Sequence, residues 1–260
     1  MGPIRLAVGL VVAALALGAV VGCGKVADSL ERIAETKEPY IPGSIVPVDA
    51  PDASLASGAV VATAAHSVVK ISSVAPACQK MMEGSGFVFA PHRVMSSAHV
   101  VAGASSFTVS VDGQEHPATV VVFDPNTDIS VLDVPGLEAP PLALAENVAP
   151  TGTDAVILGY PGGGPFVATP ARIREVIDLS GPDLYRTTTV SREVYIIRGK
   201  VGQGSSGGPL IDLNSRVLGM GFGASVDDPD TGFVITAGQV SARVASDAET
   251  RPVATGACVS

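Results

Sequence analysis

Tryptophan is absent from this 260-residue chain, and aromatic residues make up only 4 % of it. The core must therefore be aliphatic, built from Val, Ala, Leu and Ile. Charged residues are also scarce, at 16 % against a hydrophobic fraction of 47 %. That balance excludes an intrinsically disordered chain, which would be polar and strongly charged. Basic residues are in deficit: 16 Lys and Arg face 25 Asp and Glu, for a net charge of −9. Without a cationic surplus to neutralise phosphates, nucleic acid is not an expected partner. Only three cysteines occur, Cys23, Cys78 and Cys258, with no C-x-x-C pair and no Cys/His cluster. This spacing offers no metal site, and no cofactor is expected.

Glycine and proline are plentiful, with 29 and 20 residues. Together they suit many turns and short strands better than a helical bundle. The length is ample for one or two domains with a buried core.

The longest apolar run is N-terminal. Leu6 to Gly22 is a stretch of 17 uncharged residues behind a single basic side chain, Arg5. A secretory core segment has about 7–15 residues and a membrane span about 20. Val20-Val21-Gly22-Cys23 also resembles a loose lipoprotein signal. Residues 1–23 are read as a membrane anchor, uncleaved or lipidated, in preference to a cleaved signal. All three readings put the remainder outside the cytosol, where a disulfide can persist. Residues 24–55 form a linker: Lys25 to Glu38 has the spacing of a short helix, and Pro39, Pro42, Pro47 and Pro51 then forbid regular structure.

Residues 56–260 read as strands. Segments at Ser67–Ser73, Phe87–Phe89, Phe107–Val111, Ala118–Phe123 and Ile129–Val134 are followed by Ala155–Leu158, Ala171–Ile177, Val194–Ile197, Pro209–Ile211, Val217–Met220 and Gly232–Thr236. Gly84-Ser85-Gly86 reads as a turn ahead of one of them. Regular short strands of this kind predict an all-β barrel or sandwich. Only Gln239 to Ala248 looks like a terminal helix. The proline-rich stretch Val134 to Pro150 is the natural link between two β halves.

Gly202-Gln-Gly-Ser-Ser-Gly-Gly-Pro-Leu210 is the most informative segment. A serine framed by glycines on a tight loop exposes its hydroxyl and lets backbone N–H groups converge. Here the N–H groups of Gly204 and Ser206 would hold the oxyanion of a tetrahedral intermediate. The bland alternative is a glycine-rich surface turn. A serine nucleophile needs a base, and of His66, His92, His99 and His116 only His99 ends an apolar stretch; His92 and His116 each lie beside a proline and read as turn residues, and His66 precedes a strand. A base needs an acid to fix its tautomer. Asp124 and Asp128 are the candidates; Asp124 precedes a proline and reads as a turn residue, whereas Asp128 leads into an apolar strand.

The order His, Asp, Ser is that of the chymotrypsin family, distinct from α/β-hydrolases and subtilisins, and this order also argues against an esterase fold. Ser-Ala-His99, Asp128-Ile-Ser-Val-Leu and Gly204-Ser-Ser-Gly-Gly-Pro resemble that family from about residue 60 to 258. The resemblance implies two six-stranded antiparallel β-barrels, about 56–140 and 150–238, with the site between them. It implies His99 as general base, Asp128 as its orienting acid and Ser206 as nucleophile, acting on proteins or peptides. Gly159-Tyr-Pro-Gly-Gly-Gly-Pro-Phe166 and Asp227-Asp-Pro-Asp-Thr-Gly-Phe233 are further similar to the actinobacterial membrane-anchored periplasmic acid-resistance proteases. Members of that group carry a multi-helix membrane domain, and this chain departs from them in having room for one span. The peptide-binding module of HtrA proteases, roughly 90 residues, would not fit in the 54 residues after Ser206.

Ser205 stands before the nucleophile instead of a carboxylate, so activation by insertion of a freed N-terminus is not expected. Tyr195 to Gln203 holds no acid to receive a basic substrate side chain, and Lys200 would oppose one. Gly221 and Gly223 are read as lining an open pocket for a larger apolar side chain. With Cys23 at the membrane boundary, Cys78 and Cys258 are expected to pair; two free buried thiols are the alternative. The function expected is an extracytoplasmic serine endopeptidase of envelope stress or acid resistance. Its rival is a catalytically silent protease-fold module that binds or senses at the membrane surface.

Overall fold

A computed structural model describes residues 45–244 and 251–259. The apolar N-terminal run, Cys23, the helix expected from Lys25, and residues 245–248 of the expected terminal helix lie outside the described residues. Among the described residues no helix is long and apolar enough to cross a membrane.

Among the described residues twelve strands form two closed antiparallel barrels. Val68–Ala75 (β1), Lys80–Ala90 (β2), Arg93–Ser97 (β3), Ser106–Val111 (β4), Gln114–Asp124 (β5) and Ile129–Asp133 (β6) close in the order β1-β2-β3-β6-β5-β4. Asp154–Gly159 (β7), Val167–Pro182 (β8), Thr189–Arg198 (β9), Pro209–Ile211 (β10), Val217–Ala224 (β11) and Thr231–Thr236 (β12) close as β7-β8-β9-β12-β11-β10. The two halves thus share one topology without a detectable sequence repeat. Among the described residues three short α-helices accompany them: Ala59–Ala65 (α1), Ala98–Val101 (α2) and Ala237–Val244 (α3).

The near-continuous apolar runs follow from burial on both strand faces. Successive side chains point to opposite sides of a strand. Val69, Val88, Val94 and Leu132 fill the first barrel, and Ile157, Tyr195, Leu210 and Val234 fill the second. Their sequence neighbours Val68, Phe87, Met95, Val131, Val156, Leu158 and Ile211 share a third cluster with Val217, Met220 and Ile235. That cluster joins residues of both barrels and fixes one against the other.

The segment from Val134 to Pro150 joins the barrels as expected, with a single isolated bridge, Leu144 to Val217. It is pinned by Ala149 N–H, which donates to the buried Tyr195 hydroxyl at 2.9 Å. Three sequence expectations need correction. Gly84-Ser85-Gly86 is not a turn but the middle of β2. Its glycines are required by close approach: a Cβ at Gly86 would lie 2.7 Å from the Met95 carbonyl oxygen. His116, read as a turn residue, lies within β5. The compact unit begins at Val46, not at residue 56. Arg198 Nη1 donates to Val48 O at 2.7 Å, Arg174 Nη1 to Val46 O at 3.4 Å, and Val46 N–H to Glu175 Oε1 at 3.3 Å. Prolines remove backbone donors but leave carbonyls, and the arginines use those carbonyls to hold a segment that can join no sheet.

The C-terminal tail crosses the first barrel. Val253 N–H donates to Val120 O and Gly103 N–H to Thr255 O, both at 3.0 Å. Cys78 and Cys258 are joined across 180 residues with Cα atoms 5.9 Å apart. Closing so long a loop limits the unfolded chain by about 5 kcal/mol, an upper bound. Reduction is expected to lower the melting temperature and, because Cys258 borders the cleft described below, to lower peptide hydrolysis. Thermal unfolding and hydrolysis with and without reductant check this; unchanged hydrolysis by fully reduced protein would separate the tail from catalysis.

Candidate active site

β3 ends at Ser97, and α2 follows at once, presenting His99 from its second position. Asp128 starts the approach to β6 with φ of 60°, a left-handed conformation that aspartate tolerates better than most residues. This geometry turns both carboxylate oxygens towards α2. Oδ1 accepts the His99 backbone N–H at 2.9 Å and Oδ2 meets His99 Nδ1 at 2.7 Å. Asp128 is only 3 % exposed. With Nδ1 engaged, Nε2 is the ring nitrogen left for a reacting group.

Asp124 does something else. Its Oδ1 accepts the N–H groups of Asn126 and Thr127, and its Oδ2 pairs with Arg243 Nε at 3.1 Å. It caps the turn, as its position before Pro125 implied. His66 is exposed and pairs with Asp112 at 2.9 Å, while His92 occupies a turn with φ of 60°.

Ser206 and Gly204 sit on the loop before β10 and line one cleft of about 570 Å³ with His99. Gly204 has φ of +89° and Gly207 φ of +84°, both left-handed. A Cβ at Gly204 would lie 2.4 Å from Gly162 N, and one at Gly207 would lie 2.3 Å from Ser85 O. Glycine is therefore imposed twice over on this loop. The N–H groups alternate in use. Ser205 N–H donates to Gly202 O and Gly207 N–H to Gly221 O. Those of Gly204 and Ser206 donate to no acceptor among the described residues. The Ser206 hydroxyl is likewise uncommitted among the described residues.

Ser85 was missed in the sequence because it was read into a turn. It is fully buried and ties β2 of the first barrel to the serine loop of the second. Its hydroxyl donates to Gly204 O at 2.8 Å and accepts Tyr160 N–H at 2.8 Å, while its N–H donates to Ser206 O at 3.0 Å. A small polar residue between two glycines, directly ahead of the apolar run Phe87–Phe89, is the sequence mark of such a crossing.

The pocket expectations divide. A Cβ at Gly223 would meet nothing within 4 Å, in keeping with open space beside it. Gly221 does not line an open pocket; a Cβ there would press on Ser205 O at 3.1 Å and Ile157 Cδ1 at 3.3 Å. Lys200 is exposed, and Val201 behind it is buried.

Burial of His99 disfavours its charged form, but the Asp128 charge and hydrogen bond together outweigh this and hold its pKa above the ordinary value. A base is useful only when neutral. The acid limb of kcat/KM on a short peptide is therefore expected above about pH 6.5, falling steadily towards acid. A flat profile down to about pH 5 would contradict this. The same raised value makes the pair's contribution to folding complete below about pH 6.5 and lost as pH rises through the folded-state pKa.

Twin six-stranded barrels with a histidine–aspartate pair on one and a glycine-framed serine loop on the other define the chymotrypsin-like class. Residues 84–220 match the trypsin-like peptidase domain, and the chain belongs to that family. It is 56 % identical over 224 residues to serine protease Rv3671c of Mycobacterium tuberculosis (strain H37Rv), covering 86 % of this chain and 56 % of that protein. The chain therefore spans little more than half the length of this curated relative. The crystal structure of the Rv3671c protease in its active form matches with a TM-score of 0.83 at 56 % identity, covering 86 % of this chain and 99 % of that one. A probable periplasmic serine endoprotease, DegP-like, of Halomonas elongata is 32 % identical over 144 residues, 53 % of this chain and 28 % of that protein.

Proposed function

We propose that this chain is a serine endopeptidase that hydrolyses peptide bonds through an acyl-enzyme. The observation that carries the reading is the short Asp128–His99 contact, 2.7 Å, opening onto the same cleft as Ser206. In this reading His99 Nε2 takes the Ser206 proton as Oγ attacks the scissile carbonyl, and then delivers it to the leaving amine. Asp128 holds the ring in the tautomer that leaves Nε2 as acceptor and balances the imidazolium that forms. The unused N–H groups of Gly204 and Ser206 receive the oxyanion. They are fixed before substrate arrives, because Gly204 O and Ser206 O are both held by Ser85. No cofactor takes part in this scheme.

The protease domain is assigned to the extracytoplasmic side, with residues 1–23 as membrane anchor and the start of 24–55 as tether. Support comes from the apolar run at the N-terminus, from the Cys78–Cys258 bond, which suits an oxidising compartment, and from the periplasmic relative. The substrates are proteins or peptides of the cell envelope, and stress or acid resistance is the setting. A cleavage profile of the full chain on a peptide library tests the reading. Cleavage with an apolar preference before the scissile bond is expected. A protein that binds library peptides and cleaves none would be the silent module instead.

A further inference from the structure

The turn after β7, Tyr160-Pro-Gly-Gly-Gly164, lies directly against the serine loop. Gly162 N–H donates to Gln203 O at 2.8 Å. The approach is close: a Cβ at Gly204 would meet not only Gly162 N but also Tyr160 O, at 3.1 Å. A trans peptide is planar, so its C=O and N–H point to opposite sides. The bond to Gln203 O therefore also sets the direction of the Gly204 N–H, which belongs to the same peptide unit and is one of the two unused donors of the site. Gly204 carries no Cβ, so its own backbone does little to resist rotation of that unit. The bond from Gly162 supplies the resistance.

We propose that Lys70 is a positioning residue of the oxyanion site: it seats the Tyr160–Gly164 turn, which in turn holds the Gln203–Gly204 peptide with its N–H towards the cleft. This rests on the acyl-enzyme reading above. The turn closes on itself through Gly163 N–H to Tyr160 O and Gly164 N–H to Pro161 O, both at 3.0 Å. Its seating comes from the first barrel. Lys70 Nζ, on β1, donates to Gly163 O at 3.2 Å. Tyr160 N–H donates to the Ser85 hydroxyl at 2.8 Å and the Tyr160 hydroxyl to Val68 O at 3.4 Å. The Glu83 carboxylate lies against Gly163 and leaves no room there for a Cβ. Lys70 pairs with Ser85 and Ser72 with Glu83 across β1 and β2, so Lys70, Ser85 and Glu83 share one face of the sheet. That face is the platform on which the turn rests. Lys70 is half-buried in it. Its ammonium is the only side-chain donor there that grips the glycine half of the turn, next to the residue that bonds Gln203 O, among the described residues.

The test compares Lys70→Met and Lys70→Arg with the parent, all as the full chain. Lys70→Met keeps the stem and removes the donor. Its kcat on a short peptide is expected to fall about tenfold or more while KM stays within about threefold, because the oxyanion forms only after binding. A peptide aldehyde of matching sequence forms an adduct with a serine and places an oxygen where the oxyanion would lie. Its binding should weaken in the same proportion as kcat. Lys70→Arg still donates to Gly163 O and should return kcat to within about threefold of the parent. Should the methionine variant fail to fold, as its melting curve would show, Lys70→Gln, whose shorter amide leaves Gly163 O unbonded, carries the same arm. A folded donor-less variant that keeps kcat within about twofold, or loses it with aldehyde binding unchanged, would overturn the proposal. So would an equal loss in Lys70→Arg. No fluorophosphonate labelling of the parent chain would instead overturn the acyl-enzyme reading.

Discussion

Ser206→Ala is expected to reduce peptide hydrolysis at least ~10³-fold while the protein stays folded. The change removes one oxygen from a loop whose shape is set elsewhere. Gly204 and Gly207 hold their left-handed conformations, and the loop carbonyls remain bonded to Ser85. The lost hydroxyl bonds to nothing else among the described residues, so no buried partner is orphaned and the melting temperature should change little. The unused N–H groups of positions 204 and 206 survive the substitution. Substrate binding should therefore persist, with KM far less affected than kcat. Turnover comparable to the parent would mean that another group is the nucleophile.

Asp128→Asn is expected to cost nearly as much, roughly 10³–10⁴-fold in kcat, whereas Asp124→Asn should stay within about tenfold. An amide at position 128 can present its NH₂ group to His99 Nδ1, which stabilises the tautomer with the proton on Nε2. That nitrogen then cannot accept the serine proton. Asp124 has no contact with His99; its oxygens serve Asn126, Thr127 and Arg243. Its amide variant weakens a turn cap and one ion pair, a loss of stability of order 1 kcal/mol. The two variants also separate in their pH profiles, because the Asp128 charge is what lifts His99. The opposite ranking of the two variants would make Asp124 the orienting acid.

Most strands were legible because strands of this fold are buried on both faces. Pro209–Ile211 and Val217–Met220 are short apolar runs that stand out from their turns, and β10 has the expected bounds. β3 was hidden: Val94 to Ser97 runs straight into the helix that carries His99, and no turn residue divides them. β8 and β9 extend well past their apolar centres as a polar hairpin, from Asp178 to Arg192, where alternation fades and only pairing defines the strand. Composition could not reveal such pairing. Helix α1 is built mostly from alanine and valine ahead of an exposed histidine, has no side-chain N-cap bond, and buries only Val61 and Ala64.

The triad residues were legible for another reason. Each must be framed by local sequence: glycines where the serine loop passes backbone at close range, a small residue before the histidine, an apolar strand after the aspartate. Ser85 acts through contacts more than a hundred residues away along the chain and leaves only a faint local mark. The N-terminal segment from Val46 was read as linker because its prolines forbid strand. The arginines that bind its carbonyls sit on β8 and β9, and nothing in residues 46–55 announces them.

The most direct test of the account is covalent capture of the nucleophile. The full chain is treated with a fluorophosphonate at pH 8 and the adduct is located by peptide mass mapping. A single modification at Ser206, lost in Ser206→Ala and strongly slowed in Asp128→Asn, is the expected result. Modification at another serine, or none in protein that is folded and retains its Cys78–Cys258 bond, would contradict it.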